Sequence, residues 1–102
     1  MNGSTVPAPE LAGLRSRIDA LDARIVALLA ERLAVVHEVA AHKSDEAAVR
    51  APDRVQQVID RVRSHADDHG VPADLVERLY RLLIEESTAL ELDRLKALRQ
   101  AP

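Results

Sequence analysis

The stretch Leu11–Val39, LAGLRSRIDALDARIVALLAERLAVVHEV, decides the fold. Leu11, Leu14, Ile18, Leu21, Ile25, Leu28, Val35 and Val39 recur at alternating steps of three and four residues, the spacing that places side chains along one seam of a helix. No proline and only Gly13 interrupt it. Arg32 fills the one slot of the seam, between Leu28 and Val35, where an aliphatic residue is expected. A guanidinium cannot shed its charge and is costly to bury without an anion, and no acid shares the seam in this stretch. Arg32 is therefore a register device, a snorkelling side chain, or a residue waiting for an anionic ligand.

Composition narrows the classes. The chain has 102 residues, 47% apolar and 30% charged, which predicts one soluble domain. Its only aromatic residue is Tyr80, so the core is aliphatic, suited to helix packing and unsuited to base stacking. A net charge of −3 gives no general attraction to nucleic acid or anionic membrane. The absence of cysteine removes disulfides, thiolate catalysis and Cys-ligated zinc. No long uncharged apolar run is present, so neither a membrane span nor a signal peptide is expected, and a cytoplasmic protein is the expectation.

Working outward, the expected organisation is a loose tail over residues 1–9 and a helical domain over 10–102. The first helix is expected to run from about Pro9 to Lys43. The small, polar segment Lys43–Pro52 reads as a loop. Pro52 and Asp53 suit the first turn of a second helix, which carries Val55, Val58, Ile59 and Val62 and stops at Gly70. A third helix is expected from Ala73 to Leu98. A first helix of about 35 residues would be roughly 50 Å long, against a radius of gyration near 13 Å for a compact chain of this size. It overhangs its own chain with the seam still apolar, and an intertwined homodimer is the simplest way to cover it.

Polar residues cluster in or beside these apolar faces. If the first helix reaches Lys43, that residue returns to nearly the face of Arg32, about 16 Å on. Arg15 flanks the seam about 25 Å from Arg32 in the other direction, so one small ligand meets both only if two chains run antiparallel. Arg54 opens the second helix. On the third, the face of Val76, Tyr80, Leu83 and Ile84 continues into Ser87 and Glu91, one turn apart. Each has a plain alternative: the helix dipole alone favours Lys43 near a C-terminus, and Glu91 could simply pair with an arginine. Together, four cations and one acid describe a small positive pocket for a compact dicarboxylate, with no nucleophile–base pair and no phosphate loop. His37, His42, His65 and His69 lack metal-ligand spacing, and no metal or cofactor is expected.

The strings Leu14-Arg15-Ser16-Arg17-Ile18-Asp19-Ala20-Leu21-Asp22, Leu28-Leu29-Ala30-Glu31-Arg32, Lys43, Pro52-Asp53-Arg54 and Leu83-Ile84-Glu85-Glu86-Ser87 resemble the all-helical chorismate mutase family, in this order and over nearly the whole chain. The resemblance implies an all-α, three-helix protomer in an intertwined homodimer. It implies that Arg15 crosses into the partner's site, while Arg32, Lys43, Arg54, Ser87 and Glu91 come from the home chain. The arginines would clamp two carboxylates, and Lys43 and Glu91 would flank the ether oxygen of chorismate during a Claisen rearrangement to prephenate. Such a reaction needs conformational restraint and charge stabilisation and no nucleophile.

Three departures from the family pattern are informative. Many members carry Gln where Glu91 stands. A carboxylate there repels the ether oxygen, so the resemblance casts Glu91 as a protonated donor. The acid commonly found after the second-helix arginine is Val55 here, and the acid often found three residues before that arginine is Ala51. The segment Lys43–Val55 is similar to the loop of isochorismate pyruvate-lyases, which share the fold and make salicylate, whereas Ser87 and Glu85-Glu86 are more mutase-like. The alternatives are therefore that lyase, a 4-amino-4-deoxychorismate mutase, or a non-catalytic helical dimerisation module. The last leaves Arg32, Lys43, Ser87 and Glu91 without a reason.

Overall fold

In a computed structural model of the chain, residues 9–43 and 45–100 are described. All their regular structure is helical: α1 (Pro9–Ala40), α2 (Glu46–Arg50), α3 (Pro52–Asp68) and α4 (Ala73–Gln100). The expected all-α class with a very long first helix is what is found. The expected tail lies outside the described residues except for Pro9, which already begins α1.

The end of α1 and the segment after it differ from expectation, and α4 runs two residues further, to Gln100. Helix α1 ends at Ala40, not Lys43. The N–H groups of Ala41, His42 and Lys43 bond back three residues, to the carbonyls of Glu38, Val39 and Ala40 at 3.2, 3.0 and 3.1 Å. This tighter winding closes the helix early and satisfies carbonyls that would otherwise be left without partners. The segment expected to be a plain loop contains α2. Asp45 caps it, its side chain accepting from the Ala48 N–H at 2.8 Å.

The described residues fall into two compact units, those up to Ala34 and those from Val35 onward. In the first unit, every described residue from Pro9 to Glu31 is exposed. The seam leucines and isoleucines from Leu11 to Leu28 are 42–61% exposed. A lone helix of this kind is marginal in water, and covering each half-exposed side chain is worth roughly 1 kcal/mol. The seam is the largest exposed apolar stripe of α1.

In the second unit, Ile59, Val62 and Ala66 form the buried stripe of α3, with Ile59 only 1% exposed. Val49 of α2, Leu95 of α4 and Ala40 at the end of α1 complete the core. The turn from α3 to α4 closes as the sequence predicts. Gly70 takes φ 69°, the Val71 N–H donates to the Ala66 carbonyl at 2.9 Å and the Gly70 N–H to Asp67 at 3.3 Å, the double closure favoured by glycine after a helix. Arg63 clamps the hairpin, donating to Asp74 at 3.0 Å and Glu77 at 2.8 Å, while Arg81 donates to the other Glu77 oxygen at 2.7 Å. The bond from Arg81, joined by that from Arg63, holds the Glu77 carboxyl below its ordinary range.

Ala51 joins α2 to α3 with φ 34° and ψ 65°, the left-handed region, although it has a Cβ and precedes a proline. That conformation costs a non-glycine residue about 1 kcal/mol. Ala51→Gly is expected to raise the melting temperature by a few degrees and Ala51→Val to lower it; thermal unfolding by circular dichroism checks both, and a lower melting temperature for the glycine variant would contradict the strain.

Candidate active site

The centre of the second unit is polar where the sequence pattern is polar. Ser87 and Glu91, one turn apart on α4, are 5% and 7% exposed. The segment after α1 brings Lys43 to Glu91. Its Nζ lies 3.3 Å from one Glu91 oxygen and 3.5 Å from the other. The lysine side chain is 21% exposed. Burying a carboxylate without a partner is prohibitive, so the early end of α1 matters. It frees the backbone after Ala40 to turn, and Lys43 answers the acid on α4 from outside the helix.

An ammonium can only donate, so both Glu91 oxygens accept. The family pattern cast Glu91 as a proton donor; here its neighbour is itself a donor. Both contacts are longer than the 2.7–2.9 Å of a strong charge-assisted bond, leaving carboxylate lone pairs incompletely used. The Ser87 hydroxyl donates to the Leu83 carbonyl at 2.6 Å within α4, so its oxygen lone pairs, not its proton, face outward.

The other expected residues are placed as follows. Arg54 lies exposed in the first turn of α3, three residues after Ala51. Val55, beside it, is half-buried. Arg32 is half-buried on α1 and Arg15 exposed on the same helix. Seventeen residues of continuous helix separate these two, about 25 Å, so within one chain they cannot share a small ligand. Lys43 and Glu91 are brought together, with Ser87 one turn from Glu91 on α4; Arg15 is not brought to Arg32.

One residue near this centre carried no signal in the sequence reading. Arg94, three residues after Glu91, is half-buried. Its Nη1 meets the ring of His37, in the last turn of α1, with Nδ1 at 3.2 Å and Nε2 also in contact. Its Nε is buried and has no hydrogen-bond partner. An arginine on a largely polar helix end is ordinarily solvated. Only its spacing from Glu91 could have marked it. Among the described residues no cluster of His, Asp and Glu could hold a metal ion, and no helix is long and apolar enough to cross a membrane.

The described residues are all-helical in their regular structure, with a part-buried lysine–carboxylate pair and a buried serine one turn from the acid on α4. The sequence profile of the chorismate mutase type II family matches residues 14–92, and the chain belongs to that family. The match begins just before Arg15 and ends just after Glu91, so it encloses every expected site residue. No curated protein matches the chain.

If Glu91 is there for function, burying it costs the fold. Glu91→Leu is expected to leave the unfolding free energy unchanged or raise it, because Lys43 can extend to water. Chemical denaturation measures this; a loss of about 3 kcal/mol or more would make Glu91 a structural residue.

Proposed function

We propose that the protein is a chorismate mutase that works as an intertwined homodimer. The part-buried Lys43–Glu91 pair, one turn from Ser87, carries this reading, because the reaction needs a fixed hydrogen-bond donor at an ether oxygen and little else. In the rearrangement one C–O bond breaks as one C–C bond forms within the same molecule. No proton, electron or group leaves or enters. The barrier falls when the reactive conformer is held and the negative charge growing on the ether oxygen is met by a donor already in place.

In this reading Lys43 donates to the ether oxygen and Glu91 is its counter-ion. Ser87 lines the site. Arg32, Arg54 and the partner subunit's Arg15 clamp the two substrate carboxylates, as forked donors suit. The exposed α1 seam supports the dimer, since a second α1 running antiparallel would cover it and carry Arg15 toward the partner's Arg32. The apolar, half-buried Val55 after Arg54 supports a second reading, in which the substrate lacks a hydroxyl at C4 and the protein is an isochorismate pyruvate-lyase or a 4-amino-4-deoxychorismate mutase.

The test is a product assay with chorismate, isochorismate and 4-amino-4-deoxychorismate in parallel. Prephenate from chorismate at the highest kcat/KM is expected; salicylate and pyruvate from isochorismate, or an aminated product, would transfer the assignment to the second reading. Arg32→Ala is expected to lower kcat/KM by at least about a hundredfold with the melting temperature kept or raised. An Arg32→Ala protein that fails to fold would make the residue structural. No turnover of any of the three compounds would leave the dimerisation module.

A further inference from the structure

We propose that Arg94 is a positioning residue that exchanges places with Lys43 as the counter-ion of Glu91. The inference rests on the mutase reading of the Lys43–Glu91 site. It starts from two mismatched groups on one helix. Glu91 is buried, and among the described residues its ion pair is with Lys43, at the long distances of 3.3 and 3.5 Å. One turn on, the Nε–H of Arg94 is a buried donor with no acceptor. An orphaned donor and an under-used acceptor each cost free energy where they stand. Residues three apart on a helix have Cβ atoms about 5–6 Å apart, well within the reach of an arginine. A rotation about the Arg94 side-chain bonds would satisfy both.

What holds Arg94 away is His37. The guanidinium has no acceptor, so the ring nitrogen it meets accepts from it. A ring nitrogen is a weaker partner for a guanidinium than a carboxylate is.

The mutase reaction supplies the occasion for exchange. If Lys43 turns its ammonium toward the ether oxygen as negative charge grows there, Glu91 loses its cation while still buried. A buried carboxylate left alone would cancel what Lys43 contributes. Arg94 moving from His37 to Glu91 keeps the acid paired and lets Lys43 give its full strength to the transition state. Arg94 never touches substrate. It acts through Glu91, and its contribution exists only while Glu91 carries a charge.

That dependence gives the test. Arg94→Ala, Glu91→Gln and the double variant are assayed in the full-length protein for kcat and KM, and by calorimetry for affinity to a dicarboxylate transition-state mimic, with circular dichroism melts as the folding control. Arg94→Ala is expected to lower kcat and mimic affinity about tenfold with little change in KM, and Arg94→Lys to recover most of the loss. In the Glu91→Gln background the loss from Arg94→Ala is expected to shrink to less than about twofold, because a neutral amide needs no counter-ion. Equal losses in both backgrounds, or failure of Arg94→Lys to rescue, would overturn the exchange and leave Arg94 as packing. Should Glu91→Gln have no measurable turnover, mimic affinity reads the same cycle. Absence of turnover in the wild type on all three candidate substrates would instead overturn the mutase reading itself.

Discussion

The apolar seam of α1 is the constraint on which the rest depends. A helix of 32 residues whose first two-thirds is exposed on every side gains little there from packing, the main source of helix stability in proteins. Its leucines and isoleucines are spaced for a second helical surface. The exposed Leu75, Leu79, Leu82 and Leu90 of α4 point to the same need in the second unit, whose own buried core is small. A dimer would cover such faces and would also settle a matter of distance. The proposed site uses both Arg15 and Arg32, yet one straight helix keeps them about 25 Å apart. Two antiparallel copies would let the same rigid helix serve two sites.

Against this background the polar centre is costly by design. Ser87 and Glu91 occupy positions that the α4 pattern would fill with aliphatic residues, and Lys43 is drawn in to neutralise the acid. Buried pairs of this kind seldom add stability over an apolar substitute. In the proposed mutase their value would lie in a donor held ready, whose field needs no reorganisation as the C–O bond breaks. Arg94 and His37 extend the polar set by one helical turn, and they belong to this chain's own arrangement more than to any short motif.

Much of this was legible in the sequence, for definite physical reasons. Pro52, Gly70 and Pro72 punctuate the chain because each has a backbone requirement that few residues share, and α3 and α4 begin where the prolines allow. The α1 seam was legible because the three–four spacing runs unbroken once Arg32 is counted in it. Helix α2 was missed because five residues are too few to show a period; its one signal was Asp45, well placed to cap. Helix α1 ends three residues before the sequence suggests, and this was not legible because nothing in Ala41-His42-Lys43 forbids a helix. The polar character of Lys43, Ser87 and Glu91 was visible, but not their mutual contact, since 48 residues separate Lys43 from Glu91. The meeting of His37 with Arg94 across 57 residues had no local signature at all.

The most direct measurement of the account is complementation between two disabled variants. Arg15→Ala and Lys43→Ala are each prepared as homodimers, then mixed, dissociated and allowed to re-equilibrate. If Arg15 serves the partner's site, each mixed dimer holds one site with both residues intact and one with neither. Half the dimers are mixed, so activity should return to about a quarter of the wild-type value from two nearly inactive parents. A mixture that exchanges subunits and stays inactive would place Arg15 and Lys43 in the same chain's site and contradict the intertwined arrangement.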